Sequence, residues 1–319
     1  MILCVTLNPC LDKTLEAPSW APGDDVRGRS TREVVGGKGN NVARALARLG
    51  REARPVTFLG GPVGARCEAL LRDDDGLDPI VTPTAAATRV ILTVRGDSTR
   101  ATAFFDPDPA ITADEATDLL HRVEGAFSVG GVEAIALAGS SPSPATHEVF
   151  AELIAMARAR RVPAFLDTYG PPLDALWGFW PAAIKLNRRE AGLHLRAPRP
   201  SDADVMGLLR RWAGRGVGLA AVTDGPGPVL ALIDGRPYRA TPPAIEAVNP
   251  IGSGDCMLAA LVDAALRGDP PEATLRHALG AAAANARVWD AGAIDRGGVE
   301  REGRGVEVEA LRDGIPGTT

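Results

Sequence analysis

Apolar residues along the chain are grouped in two ways that alternate. Short continuous runs, typical of buried strands, are followed by longer stretches in which apolar positions recur every three or four residues, as in helices. This alternation indicates a mainly parallel sheet covered by helices on both faces, and therefore predicts an α/β fold. The pattern predicts strands over residues 3–7, 56–59, 134–137, 163–166, 182–186 and 217–222, and helices over 41–49, 113–127, 144–160, 203–213, 256–266 and 272–288.

Two early segments do not follow this alternation. Residues 13–35 mix polar and apolar positions, and residues 89–95 and 100–105 predict a hairpin around Gly96-Asp97. We expect the segments at about 13–35 and 88–106 to pair as a small β-lid over the carboxyl edge of the main sheet, within one domain spanning 1–319. Elsewhere, 229–233 and 237–240 predict a second hairpin, 244–248 is strand-like, and 296–304 and the tail after Gly314 are expected to be mobile.

The composition narrows the class of protein. Of the 319 residues, 45% are hydrophobic, which is enough for a large core, and the net charge of −5 argues against nucleic acid as a partner. No apolar run is long enough to span a membrane, and the opening residues resemble a core strand rather than a signal peptide. Cys4, Cys10, Cys67 and Cys256 form no C-x-x-C pair, so we expect free thiols in a cytoplasmic protein. The scattered histidines give no support to a histidine metal site.

The run Gly252-Ser253-Gly254-Asp255 precedes a predicted helix. Backbone N–H groups at a helix N-terminus bind anions, and the helix dipole adds partial positive charge. A phosphate would repel Asp255, so we interpret this carboxylate as a base that takes a proton from an attacking hydroxyl. The motif therefore predicts phosphoryl transfer, and the alternative is an ordinary helix start in which Asp255 complements the dipole.

A second glycine run, Gly36-Gly37-Lys38-Gly39-Asn40-Asn41, also leads into a helix. Its exposed backbone would allow close approach of a polyhydroxy ligand, whose hydroxyls Asn41 can bind while Lys38 supplies charge. Neither run has the spacing of a Walker loop or of a Rossmann fingerprint. Two such loops predict two ligands, one at each.

Together these motifs resemble the two signatures of the ribokinase-like, phosphofructokinase B-type sugar kinases. The opening Thr6-Leu7-Asn8-Pro9-x-x-Asp12 is similar to the sugar-phosphate branch that holds the 1-phosphofructokinases and tagatose-6-phosphate kinases. Further motifs follow in the order of that branch over nearly the whole chain: Thr88-Arg89, Gly139-Ser140-x-Pro142, Leu166-Asp167-Thr168, Lys185-x-Asn187-Arg188-Arg189-Glu190 and Ala283-Ala284-Asn285-Ala286.

The resemblance implies a three-layer αβα ribokinase-like fold and transfer of a phosphoryl group from ATP, with Mg²⁺, to a phosphorylated ketohexose. Fructose 1-phosphate is the leading substrate, and tagatose 6-phosphate or fructose 6-phosphate come next. Alternatives are a kinase of an unphosphorylated sugar or nucleoside, and a non-catalytic sugar-phosphate-binding regulator, against which the presence of Asp255 argues. The lid also implies a homodimer.

The same resemblance implies roles for individual residues. Asp255 is the base, and the N–H groups of Gly252, Ser253 and Gly254 hold the charge of the transferred phosphoryl group. Glu190 and Asn187 organise Mg²⁺, with a helix cap as the alternative for Glu190. The sugar end uses Asp12, Gly36, Gly37, Asn41 and Ser140, with Arg27, Lys38 and Arg89 on its phosphate; the nucleotide end uses Lys185, Asn187, Thr223, Gly225, Gly252, Gly254 and Asn285, of which Asn285 could equally be a helix-surface residue.

The chain departs from the family pattern mainly on the sugar side. Ser140-Ser141-Pro142 lacks the usual Leu, and Arg89 lacks the Asn often found two positions later. Phe105-Asp106-Pro107-Asp108-Pro109 stands where an acidic-Pro-Gly-Pro segment is usual, so two acids crowd the lid. Asn249-Pro250-Ile251 replaces the usual acidic or Ser/Thr lead, which leaves activation by a monovalent cation open.

Overall fold

The central sheet contains ten strands in the computed structural model, which describes residues 1–97, 101–176 and 178–312. In order across the sheet they are β14 (Glu307–Ala310), β13 (Arg236–Thr241), β12 (Gly227–Ile233), β11 (Leu219–Asp224), β10 (Ala183–Asn187), β9 (Ala164–Asp167), β8 (Ala134–Ala138), β1 (Ile2–Thr6), β4 (Ala53–Leu59) and β5 (Ile80–Pro83). All neighbours from β11 to β5 are parallel, whereas β12, β13 and β14 are antiparallel additions at one edge. The prediction of a mainly parallel sheet is confirmed.

Helices cover both faces of this sheet, because alternate strand residues point to opposite sides and both sides are apolar. In β1, Ile2 and Cys4 pack in one layer, whereas Leu3 and Val5 pack in the other. This three-layer arrangement confirms the predicted α/β fold class. The first layer contains α1 (Lys38–Arg48), α2 (Gly61–Ala69), α8 (Ser253–Arg267), α9 (Pro271–Ala286) and α10 (Arg296–Arg304); the second contains α3 (Ala113–Val129), α4 (Val149–Ala159), α5 (Pro171–Asp174), α6 (Arg188–Leu195) and α7 (Asp202–Ala213).

A second sheet of four strands is formed by the two segments that break the alternation. Its order is β3 (Ser30–Gly36), β2 (Cys10–Glu16), β6 (Arg89–Arg95) and β7 (Thr102–Phe105). β2 and β6 are parallel, and the two outer pairs are antiparallel. Since β2 follows β1 after only three residues, the second sheet begins at the carboxyl edge of the first.

Several local predictions differ from the structure. Residues 296–304, expected to be mobile, form α10, because the Asp295 side chain caps the helix at the N–H of Gly298 and Val299 is buried. Residues 244–248 form no strand, and the predicted helix 144–160 is broken between a 3₁₀ turn at Pro144–Thr146 and α4. Arg100 and the tail after Gly314 lie outside the described residues.

All four cysteines are buried and free, as their spacing predicts. Burial raises the pKa of each thiol well above its ordinary value. Cys4, Cys67 and Cys256 lie in the core on one face of the main sheet, whereas Cys10 begins β2. No helix in the described part of the chain is long and apolar enough to span a membrane.

Candidate active site

The two glycine runs meet at the carboxyl edge of the central sheet. Gly37 precedes α1 and Gly252 precedes α8, both with positive φ, so each run leads into a helix as predicted and its later residues form the first turn of that helix. The Asn41 side-chain N–H donates to Asp255 Oδ2 at 2.8 Å, across 214 positions of sequence. The candidate sugar loop and the candidate phosphoryl-transfer motif therefore form one site.

Charged side chains approach the backbone closely at two glycines of these runs. A Cβ at Gly36 would lie 2.2 Å from Asp12 Oδ2, and a Cβ at Gly254 would lie 2.6 Å from Lys185 Nζ. Asp12 thus faces the first glycine run, and the Lys185 ammonium lies against the first turn of α8. Among the described residues, the N–H groups of Gly252 and Gly254 make no hydrogen bond, whereas the N–H of Ser253 donates to Pro250 O at 3.2 Å.

Asp255 is only 5% exposed and is surrounded by charges of both signs. Burial raises the pKa of Asp255 to about 6, with a contribution from the Asp167 charge. Lys38, Lys185 and the hydrogen bond from Asn41 oppose this rise. A carboxylate with such a pKa is charged at neutral pH and can accept a proton from a substrate hydroxyl.

A buried ionic network links the two lysines of the site. Lys185 Nζ lies 2.5 Å from Asp167 Oδ2, and Lys38 Nζ lies 3.1 Å from Asp167 Oδ1 and 3.0 Å from Glu190 Oε1. Burial alone would lower the pKa of Lys38, but Asp167, Glu190 and Asp255 raise it on balance. Burial alone would likewise raise the pKa of Asp167, yet the two lysines lower it. Lys38 is therefore held by carboxylates at the centre of the site.

Asp167 received no role from the sequence, although it lies in a quoted motif. It ends β9 and is completely buried. Because charged residues are almost never fully buried without a partner, a buried strand that ends in Asp at the ligand-binding edge was a usable signal.

Asn187 and Glu190 form a capping box at the start of α6. The N–H of Glu190 donates to Asn187 Oδ1 at 2.8 Å, and the N–H of Asn187 donates to Glu190 Oε2 at 2.9 Å. The capping alternative is therefore observed, and Glu190 Oε1 still reaches inward to Lys38. Among the described residues, no three His, Cys, Asp or Glu side chains cluster so as to hold a metal.

A second cluster lies where β1 and β6 approach the loop after β7. Arg89 Nη1 donates to Asp108 Oδ1 at 2.8 Å, and Arg89 Nη2 donates to Asn8 O at 3.4 Å. The Asn8 amide donates to Asp108 Oδ1 at 2.8 Å and to Ser140 Oγ at 3.2 Å. Nearby, burial raises the pKa of Asp12 to about 6, against the influence of Cys10, Arg44 and Arg89.

The three cations expected on the substrate phosphate have different surroundings in the structure. Arg89 lies in the cluster with Asp108, and Lys38 is drawn to Asp167 and Glu190 because these buried carboxylates require a counter-charge. Arg27 is exposed in the loop between β2 and β3, where it forms no ion pair with any described residue.

Three further residues assigned to the nucleotide lie at the end of β11 and on α9. Thr223 Oγ1 donates to Leu186 O at 3.4 Å near the end of β11, and Gly225 makes the following turn with positive φ. Asn285 is completely buried, so its helix-surface alternative is wrong. Its amide donates to Ile251 O at 2.8 Å and to Ser253 Oγ at 3.2 Å, and these bonds hold the glycine turn before α8.

Arg44 is a residue of the site that the sequence reasoning missed. It is 6% exposed, and its fork binds both oxygens of Asp75 at 2.7 and 2.8 Å. Arg44 Nη1 also donates to Asn41 Oδ1 at 3.0 Å, which turns the Asn41 N–H groups towards Asp255. The sequence pattern gave no signal for this role, because Arg44 lies on the opposite side of α1 from the apolar positions Val42, Leu46 and Leu49.

Comparison with known proteins agrees with these motifs. A curated 1-phosphofructokinase of Rhodobacter capsulatus is 32% identical over 271 residues, which cover 84% of this chain and 84% of that protein. Two solved structures share the fold: a possible 1-phosphofructokinase of Thermotoga maritima (TM-score 0.86, 22% identity, 98% of this chain and 100% of that chain) and phosphofructokinase-2 of Escherichia coli in complex with fructose-6-phosphate (TM-score 0.81, 24% identity, 95% and 98%).

The family itself is shown by a match that spans most of the chain. Residues 5–295 match the family described as pfkB family carbohydrate kinase, so the motifs at both glycine runs fall inside the matched region. The resemblance stated from the sequence is confirmed, and the chain belongs to the pfkB family of carbohydrate kinases.

Proposed function

We propose that this carbohydrate kinase transfers a phosphoryl group from ATP to a phosphorylated ketohexose, with conversion of fructose 1-phosphate to fructose 1,6-bisphosphate as the leading reaction. The observation that carries the proposal is the hydrogen bond between Asn41 and Asp255, because it places a buried carboxylate between the sugar loop and the glycine turn. The named activity of the Rhodobacter relative supports the choice of substrate. Tagatose 6-phosphate and fructose 6-phosphate are the next candidates.

In this proposal Asp255 accepts the proton of the substrate hydroxyl while the hydroxyl oxygen bonds to the γ-phosphorus of ATP and ADP leaves. The free N–H groups of Gly252 and Gly254, with Lys185 beside them, stabilise the charge on the transferred phosphoryl group. Asn41 orients Asp255, and Asp12 accepts hydrogen bonds from sugar hydroxyls.

The residues also fit a water-mediated magnesium ion. Glu190 is a buried carboxylate whose two oxygens each accept one N–H donor, and each oxygen has a further lone pair for a metal-bound water. Mg²⁺ so held by Glu190 and Asn187 would neutralise phosphate charge when bound.

Turnover of a substrate panel tests the proposal. Purified protein is mixed with ATP, Mg²⁺ and fructose 1-phosphate, tagatose 6-phosphate, fructose 6-phosphate or fructose, and ADP formation is followed. We expect the highest kcat/KM with fructose 1-phosphate. Turnover of fructose alone would favour the unphosphorylated-sugar kinase, and binding of sugar phosphates without any ADP would favour the regulator.

Replacing Glu190 with Gln should raise the magnesium concentration needed for half-maximal rate by about 10–100-fold at fixed ATP, the scale seen for residues that support a metal site. The magnesium requirement should change more than the affinity for the sugar phosphate, because Glu190 contacts the first glycine run only through its bond to Lys38. A matched control is Glu115→Gln, since Glu115 closes the same kind of capping box with Thr112 on α3, away from the site. Equal magnesium titrations for both variants would leave Glu190 with a capping role only.

We also propose that the protein forms a homodimer through the second sheet. Phe104 and Phe105 on the edge strand β7 are 54% and 65% exposed, and a sheet edge with exposed aromatic side chains favours pairing with a second copy. The four buried free thiols suit the reducing cytoplasm as the place of action.

A further inference from the structure

The Asp108 carboxylate contacts the guanidinium of Arg89, which we propose binds the substrate phosphate. Its Oδ1 accepts from Arg89 Nη1 and from the Asn8 amide, each at 2.8 Å. Asn8 also donates to Ser140 Oγ. Asp108 is therefore connected to two residues assigned to the sugar end, directly to Arg89 and through Asn8 to Ser140. Pro107 and Pro109 flank Asp108 and restrict the backbone that carries it.

The ion pair between Arg89 and Asp108 uses only part of the arginine guanidinium. Only Nη1 of Arg89 contacts the carboxylate, and the buried Nε has no hydrogen-bond partner among the described residues. The Asp108 side chain is 47% exposed and that of Arg89 is 15% exposed. A single bond to a half-exposed carboxylate is weaker than the bidentate contact that a phosphate can make with an arginine fork.

Two negative groups cannot share this arginine without repulsion. The other expected cations do not relieve it, because Lys38 is bound to Asp167 and Glu190, and Arg27 is exposed in its loop. A phosphate that binds Arg89 must therefore displace Asp108 or accept a carboxylate beside it.

We propose that Asp108 is a specificity-determining residue that competes with the substrate phosphate for Arg89 and so limits the affinity of this kinase for phosphorylated sugars. The inference rests on the proposed function in one respect, namely that Arg89 faces the substrate phosphate. The competition acts on ligands that bring an anion to Arg89 and leaves neutral sugars unaffected.

Asp108→Asn isolates the charge, because its Oδ1 still accepts from Asn8 and Arg89. We expect this variant to lower KM for fructose 1-phosphate by about tenfold, the scale of a charge-assisted hydrogen bond, with kcat and the KM for ATP unchanged. Affinity for inorganic phosphate, measured by titration calorimetry without sugar or ATP, should rise by a similar factor. The matched control is Asp106→Asn: Asp106 lies in the same loop and accepts from the N–H of Val90 at 2.9 Å, but does not contact Arg89.

The outcomes separate this inference from the proposed function. A higher KM or weaker phosphate binding in Asp108→Asn would overturn it and make Asp108 a group that positions Arg89. Equal gains in Asp106→Asn would also overturn it, because the effect would then be the general charge of the loop. Wild-type protein that phosphorylates only neutral sugars would contradict the proposed function, while the inorganic phosphate titration would still test the competition at Arg89.

Discussion

Replacing Asp255 with Asn is expected to lower kcat by about 10²–10⁴-fold, the range that a general base contributes. Asn can still accept from the Asn41 amide, so the shape of the site is retained while the proton acceptor is lost. Binding of ATP, measured by calorimetry, should be nearly intact. A variant that keeps most of its kcat would remove Asp255 from the role of base.

The pH dependence gives a second measure of the same residue. Because the pKa of Asp255 is raised to about 6, kcat of the wild type should fall as the pH drops through 6, where the carboxylate becomes protonated. Lys38, Lys185 and Asp167 also face this carboxylate, and the raised pKa of Lys38 and the lowered pKa of Asp167 keep both of those groups charged in that range. Asp255→Asn should lose the acidic limb together with the rate.

Asp12→Asn is the matched control for Asp255. Burial raises the pKa of Asp12 to about 6 as well, yet Asp12 lies on the sugar side and makes no contact with Asp255 among the described residues. We expect this variant to raise KM for the sugar and to keep the acidic limb of kcat. An acidic limb that disappears in Asp12→Asn would assign the titration to Asp12 instead.

Replacing Arg89 with Ala is expected to raise KM for the sugar phosphate by about 10–150-fold, because an ionised phosphate would lose a charge-assisted bond of about 1.5–3 kcal/mol. KM for ATP should hardly change, since we propose that the γ-phosphate binds at the glycine turn before α8. Arg89→Lys should recover only part of the loss, because lysine keeps the charge without the fork. Steady-state kinetics with fructose 1-phosphate and with fructose measure both effects.

Arg95→Ala supplies the control on the same strand. Arg95 ends β6, pairs with Glu16 at 3.3 Å and lies over the ring of Trp289. Arg95→Ala therefore removes an arginine from β6 without removing a proposed contact to the substrate phosphate. If Arg89→Ala raises KM equally for phosphorylated and free sugars, Arg89 does not contact the phosphate. That result would favour the unphosphorylated-sugar kinase.

The sequence predicted the features of this site that depend on local chain geometry. Both glycine runs were expected to lead into helices, because glycines before an apolar periodic stretch are a local signal, and Gly37 and Gly252 directly precede α1 and α8. The pairing of Asn187 with Glu190 was foreseen as an alternative for the same reason, since a capping box spans only three positions.

Side-chain partners that are distant in sequence could not be predicted in this way. The role of Lys38 on a substrate phosphate stays a prediction, and its partner in the structure, Asp167, is 129 positions away and was not foreseen. Whether a flexible lysine turns to one carboxylate or another depends on burial and on the sum of nearby charges, which only the folded chain defines. The same holds for α10, a charged, glycine-rich segment whose backbone at Val299 and Gly303 packs closely against α9 because Gly280 has no side chain.

Because the four thiols are buried, their reaction with a thiol reagent measures how the structure around each of them opens. A thiol-specific reagent attacks the thiolate, which burial suppresses, so labelling requires that the surrounding structure open first. Cys10 lies at the base of the second sheet, whereas Cys4 and Cys256 lie in the core of the main sheet. Labelling of Cys10 therefore records local separation of the second sheet, and labelling of Cys4 and Cys256 records global unfolding, without any added probe.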